Sequence, residues 1–92
     1  MTMQLTSETP LGGDDSVPRL AAGGRERLQP AGNRLWRVLD RQGHVIGHIE
    51  SFLHPLGVRF RAKRYQSSTA RFVEFGDFWS ADDAVGCLRY SA

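Results

Sequence analysis

From residue 34 onward, apolar and polar side chains alternate with the period of two that marks half-buried strands, broken at intervals by turn residues. The pattern is clearest over 58–65. There Val58, Phe60 and Ala62 point one way and Arg59, Arg61 and Lys63 the other. Arg64 falls on the apolar side near the strand end, from which its long side chain reaches solvent. Upstream, 35–39 reads as a first strand with Trp36 and Val38 on one face. Asp40-Arg41-Gln42-Gly43 follows as a turn, with Asp first and Gly where a positive φ is favoured. A second strand runs from His44 to Ser51, with Val45, Gly47 and Ile49 on one face and His44, Ile46, His48 and Glu50 on the other. Gly47 in its middle marks a bulge, or a place where a large side chain such as Trp36 crosses the backbone. Residues 52–57, with Pro55, then connect to the 58–65 strand, which a polar loop, Gln66-Ser67-Ser68-Thr69, follows.

The segment 71–90 starts as a strand, Val73 and Phe75 alternating with Phe72 and Glu74, and Gly76-Asp77 breaks it. Ser80 then caps a helix, its hydroxyl accepting from backbone N–H groups of the first turn. Asp82 and Asp83 sit at the positive end of the helix dipole. Ala81, Ala84, Val85 and Leu88 form one apolar stripe. The order β-β-β-β-α predicts an α+β fold. A small antiparallel sheet of four strands, or three, carries the C-terminal helix on one face and leaves the other open to water. The expected core is Trp36, Val38, Val45, Ile49, Phe60, Val73, Phe75, Phe78, Val85 and Leu88.

Composition divides the chain. Residues 1–33 are rich in Gly, Pro, Ser, Thr and Asp and contain no aromatic residue. They bury too little apolar area to offset their ordering entropy, so a disordered tail is expected, with at most a frayed helical turn over 25–29 that Pro30 and Gly32 end. The folded domain is then 34–92, about sixty residues, a size at which single domains are marginally stable. It leaves little room for a deep pocket, and the chain is read as a non-enzyme without cofactor. The 92 residues carry eleven Arg and one Lys. The tail has a net charge of −1 and the domain, with nine bases and six acids, +3. A GC-rich coding sequence accounts for the Arg bias as well as phosphate recognition does. Cys87 is the only cysteine, so no internal disulfide exists and a cytoplasmic location is expected. No basic region leads into an apolar run, and no apolar run approaches a membrane span, so neither signal peptide nor membrane association is expected.

Most candidate chemistry is better explained by ordinary surface roles. His44 and His48 lie on one strand face about 13 Å apart, too far to share a metal, and His54 falls in a connection. Cys87 lies late in the helix, away from the end that would lower its pKa. Ser67, Ser68 and Thr69 have no positioned base. Arg59, Arg61 and Lys63 are different: alternate strand residues project about 7 Å apart and make a row of cations along the open sheet face. Such a row fits the phosphates and guanine edges of a DNA groove. It equally fits the polar outer face that any half-buried strand requires.

The run Phe75-Gly76-Asp77-Phe78-Trp79-Ser80-Ala81-Asp82-Asp83-Ala84-Val85 resembles the last strand and helix start of the APETALA-type (ethylene-response-factor) DNA-binding domain, and is similar to the arm-binding domains of phage-type integrases. The resemblance covers these eleven residues. It implies a small sheet in the major groove with a helix packed behind it. At the position where the plant family places a DNA-facing Trp, this chain has Glu74. Together these features lead to the expectation of a small DNA-binding module acting on double-stranded DNA through Arg59, Arg61 and Lys63, flanked by Arg37 and Arg71, each of the three row cations well exposed. The alternative is a protein-interaction or regulatory domain that uses the open face, or pairs into a weak homodimer through a sheet edge.

Overall fold

The structure, a computed structural model, describes residues 16–21 and 24–91. Five strands, β1 (Arg27–Gly32), β2 (Leu35–Leu39), β3 (Val45–His54), β4 (Gly57–Gln66) and β5 (Arg71–Phe78), form one antiparallel meander in that order. The helix α1 (Ala81–Tyr90) follows and packs against β3, β4 and β5. The α+β class, the antiparallel sheet and the single C-terminal helix agree with the expectation from sequence.

The strand count does not. Arg27–Gly32 was expected in the tail, its first residues as a helical turn; it pairs with β2 instead, Leu28 opposite Val38 and Pro30 opposite Trp36. The domain boundary therefore lies well before residue 34. Ahead of β1, Pro18 is buried and Leu20 packs against the core. The Ala21 N–H donates to Asp82 on the helix at 3.0 Å. Glu26 takes a two-point contact from Arg89, at 2.9 and 2.6 Å. These residues carry too little periodicity of their own to be read as structured. Their order comes from α1 and β2, which supply the partners. The rest of the expected tail, 1–15 together with 22 and 23, lies outside the described residues.

Directly opposed residues of antiparallel strands share a face, and the register sorts the side chains. One face holds the rows Trp36–Ile49–Ala62–Gly76 and Ser51–Phe60–Phe78, with Val38 opposite Gly47. Ala81, Ala84, Val85 and Leu88 of α1 close over Val38, Ile49, Phe60 and Ala62 to make the core. As expected, Ser80 caps the helix, accepting from the Asp83 N–H at 3.1 Å.

Trp36 and Val73, expected in the core, are half-buried outside it, near the sheet margins, and two bulges account for the other misread positions, Val45 and Phe75. Val38 pairs with Gly47 but Leu39 pairs with Val45, leaving Ile46 as an extra residue in β3. Beyond the bulge the alternation reverses. Val45 turns away and is exposed, while Ile46 packs against the core. In β5, Lys63 pairs with Glu74 and Ala62 with Gly76, so Phe75 is the extra residue and is also exposed. Gly76-Asp77 therefore does not end the strand. Gly76, at φ +154°, carries the chain through the bulge to Phe78. The expected connection at 52–57 is likewise mostly strand: β3 continues to His54, and only Pro55 and Leu56 turn before β4.

Candidate functional site

The face opposite α1 carries the rows Arg37–His48–Lys63–Glu74 and Leu35–Glu50–Arg61–Asp77, then Phe52 opposite Arg59. Arg59, Arg61 and Lys63 thus stand side by side on the open face. Their exposure is not what the sequence predicted. The Arg61 side chain is 29% exposed and that of Lys63 15%. The reason is the strands on either side, which place acids and rings against them.

Arg61 donates from Nε to Asp77 Oδ1 at 2.8 Å and from Nη2 to Oδ2 at 3.3 Å. Glu74 approaches its Nε at 3.8 Å, and the guanidinium lies over the Phe52 ring, 4.5 Å from the centroid. The pairing acts on both groups: the hydrogen bonds to Arg61 hold the Asp77 carboxyl below its ordinary value, and those to Asp77 raise Arg61. Lys63 donates to Glu50 Oε1 at 3.0 Å and its ammonium sits 4.9 Å from the Phe72 centroid. His48 stands edge-on to Phe72, and burial holds its imidazole below the ordinary range, aided by the charges of Arg37 and Lys63. Arg37 shares this face and donates to Gln29 at 3.4 Å. Arg71 does not: it lies opposite Gln66, at the far end of β5 and on the side of Arg64.

Arg64 departs from its expected role as well. Rather than reaching solvent, it turns back over the sheet and donates to the carbonyls of Ile46, Leu88 and Ser91 at 3.2, 3.1 and 3.0 Å. It closes the C-terminus of α1, where a cation also meets the negative end of the helix dipole.

Among the three row cations, Arg59 is the exception. Its Nη2 donates to the backbone carbonyl of Asp77 at 2.7 Å, but no carboxylate among the described residues lies within ion-pair distance of it. Its Nε is buried without a hydrogen-bond partner. The guanidinium stacks on Trp79, 4.4 Å from the ring centroid. His54 meets the same ring edge-on at 5.2 Å, and its Nδ1 accepts the Leu56 N–H at 3.1 Å, which orients the imidazole. The Trp79 ring also leans on the turn, where a Cβ at Gly57 would meet its Cζ3 at 3.9 Å.

This end of the β3–β4 hairpin is strongly apolar. Leu56 is 81% exposed, Leu53 69% and Trp79 51%. Leu53 lies on the α1 side of the hairpin and Trp79 on the open side, so the apolar surface wraps its end. Sequence reading missed this cluster because Trp79 and Leu56 are far apart in the chain. Trp79 reached the hairpin only through the extra residue in β5 and the short β5–α1 junction.

His44, His48 and His54 occupy three separate surroundings: the Asp40 turn, the open face and the hairpin end. Among the described residues no group of three or more His, Cys, Asp or Glu side chains could hold a metal ion, and no helix is long and apolar enough to cross a membrane. No family model, curated protein or solved structure matches this chain.

Proposed function

We propose that this chain is a non-catalytic protein-interaction module whose contact surface is the hairpin end formed by Leu53, Leu56 and Trp79. The gathering of exposed Leu53, Leu56 and Trp79 at one end of the sheet, beside an Arg stacked on the Trp, carries this reading. Isolated exposed apolar residues need no explanation, but a Trp and two Leu gathered around one turn form a patch of the kind that marks contact sites. Trp and Arg are also the side chains that most often dominate binding energy at interfaces.

Charge on the open face weighs against double-stranded DNA as the ligand. Arg27, Arg37, Arg59, Arg61 and Lys63 share the surface with Glu50, Glu74 and Asp77, a net of +2. Each phosphate neutralised contributes a salt slope of about −0.9, so a net charge of two supports little affinity. A phosphate would also have to displace Asp77 from Arg61 and Glu50 from Lys63.

A photo-reactive amino acid at Leu56 tests the reading in the source cells. The expected product is a crosslink to protein that Trp79→Ala abolishes, with none from the same group placed at Arg71. Crosslinks to nucleic acid, or protein crosslinks from Arg71 but not from Leu56, would overturn it.

A further inference from the structure

We infer, on the reading of the hairpin end as a contact surface, that its partner is a peptide segment presenting a carboxylate beside large apolar side chains, with the carboxylate received by Arg59. The sheet distributes its countercharges unevenly, and that asymmetry identifies the ligand. Lys63 has Glu50 and Arg61 has both oxygens of Asp77, while Arg59 obtains from Asp77 only the backbone carbonyl. Glu74 is opposite Lys63, further from Arg59 along the strand, and reaches Arg61 rather than Arg59. Asp82 and Asp83 belong to α1, on the other side of the sheet, and Asp82 is engaged by the Ala21 N–H. Among the described residues, the row cation next to the exposed apolar side chains is therefore the one of the three without its own carboxylate.

Trp79 makes that cation a directed receptor. Stacking at 4.4 Å fixes the plane of the guanidinium, and the bond from Nη2 to the Asp77 carbonyl fixes its rotation. A carboxylate binding in that plane would meet a preorganised donor and lose less freedom on binding than it would with an unrestrained Arg. Leu56 in the adjoining turn and the free part of the Trp79 ring supply apolar contact beside it, with Leu53 available to a segment that continues round the hairpin end. A second copy of this chain is a poorer occupant. In a two-fold contact the same patch meets itself, which would bring Arg59 toward its equivalent with no acid between them.

Selection of a random-peptide display library against the full-length protein tests the inference. Enriched peptides should carry Asp or Glu next to Leu, Phe, Trp or Met. Synthetic copies should bind wild type at least about tenfold more tightly than Arg59→Gln, with Arg59→Lys intermediate, and replacing the acid by its amide should cost a similar factor. Trp79→Ala should abolish binding, and the circular dichroism of each variant should remain that of wild type. Apolar peptides with no acidic preference that bind Arg59→Gln as well as wild type, yet lose affinity with Trp79→Ala, would overturn this inference and leave the hairpin-end reading standing. Peptides indifferent to Trp79→Ala, self-association through the patch, or the absence of any enriched sequence would overturn this inference too, and the first and last would remove the hairpin-end reading with it.

Discussion

A methyl group on Gly47 would lie 2.6 Å from Cδ2 and 2.7 Å from Cδ1 of Leu88. The mid-strand glycine therefore exists to admit the helix: Leu88, fully buried, drops onto β3 where no side chain is present. The third neighbour is the Lys63 carbonyl oxygen at 2.9 Å, which is backbone and cannot rotate away. Gly47→Ala should cost about 1–3 kcal/mol, the range for overpacking a well-filled core. The midpoint of chemical denaturation measures it, and an unchanged midpoint would mean that α1 sits higher above the sheet than described.

Gly76 controls which way Asp77 points. Its φ of +154° is one that side-chain-bearing residues rarely adopt, and a Cβ there would meet the Phe78 ring at 3.3 Å. Gly76→Ala should destabilise the domain by about 1–3 kcal/mol through backbone strain. It should also move the Arg61 side-chain NMR signals, because the bulge is what brings Asp77 to Arg61. Loss of stability with unaltered Arg61 signals would separate the two effects and refute the second.

Arg64 satisfies two carbonyls at the end of α1 and one of β3. Arg64→Met keeps the apolar stem but removes the guanidinium from those carbonyls, leaving that of Leu88 only the Ser91 N–H at 3.4 Å. The expected loss is about 1–3 kcal/mol, which for a domain of this size lowers the melting temperature by about 4–8 °C per kcal/mol. Arg64→Lys should recover part of it, since a single ammonium cannot reach all three oxygens.

Acid should destabilise the fold in two steps. His48 is held below 6.5, so the unfolded chain takes up its proton first. Its contribution is complete above about pH 6.5 and is lost as pH falls through the lower folded value. Glu26 and Asp77 are held below 4.5 and 3.8 by hydrogen bonds from Arg89 and Arg61. Their contributions are complete above those values and are lost as pH falls through the lower folded ones. Denaturation midpoints followed from neutral to acid pH should show both declines. His48→Gln should remove the upper one, and Glu26→Gln or Asp77→Asn should flatten the lower. A wild-type profile with no decline until below pH 4.5 would show that His48 is not held in this way.

If internal carboxylates keep the open face from phosphate, removing them should create affinity for DNA. The triple change Glu50→Gln, Glu74→Gln and Asp77→Asn takes the face from a net +2 to +5. It should bind random duplex DNA at low salt with a steeper salt slope than wild type, by up to about 0.9 per cation released. Wild-type protein that already binds duplex as well as the triple variant would return the function to DNA.

Alternation alone was enough to identify β2, most of β3 and β4, and the faces of Val38, Ile49, Phe60, Arg59, Arg61 and Lys63, because a strand with one buried face must repeat every two residues. The Ser80 cap and the stripe of Ala81, Ala84, Val85 and Leu88 were equally legible, since both are local to the helix. Tertiary structure decided the rest. Nothing within residues 27–32 says strand until β2 supplies a partner, and nothing near Glu26 says buried until Arg89 arrives from the other end of the chain. The bulges at Ile46 and Phe75 each insert one residue, and one residue reverses which face every later side chain takes. That single insertion in β5 moved Asp77 onto the open face, turning a row of exposed cations into a paired surface. It left Arg59 beside Trp79 without a carboxylate of its own, a relationship that depends on register and so could not be read from any one segment.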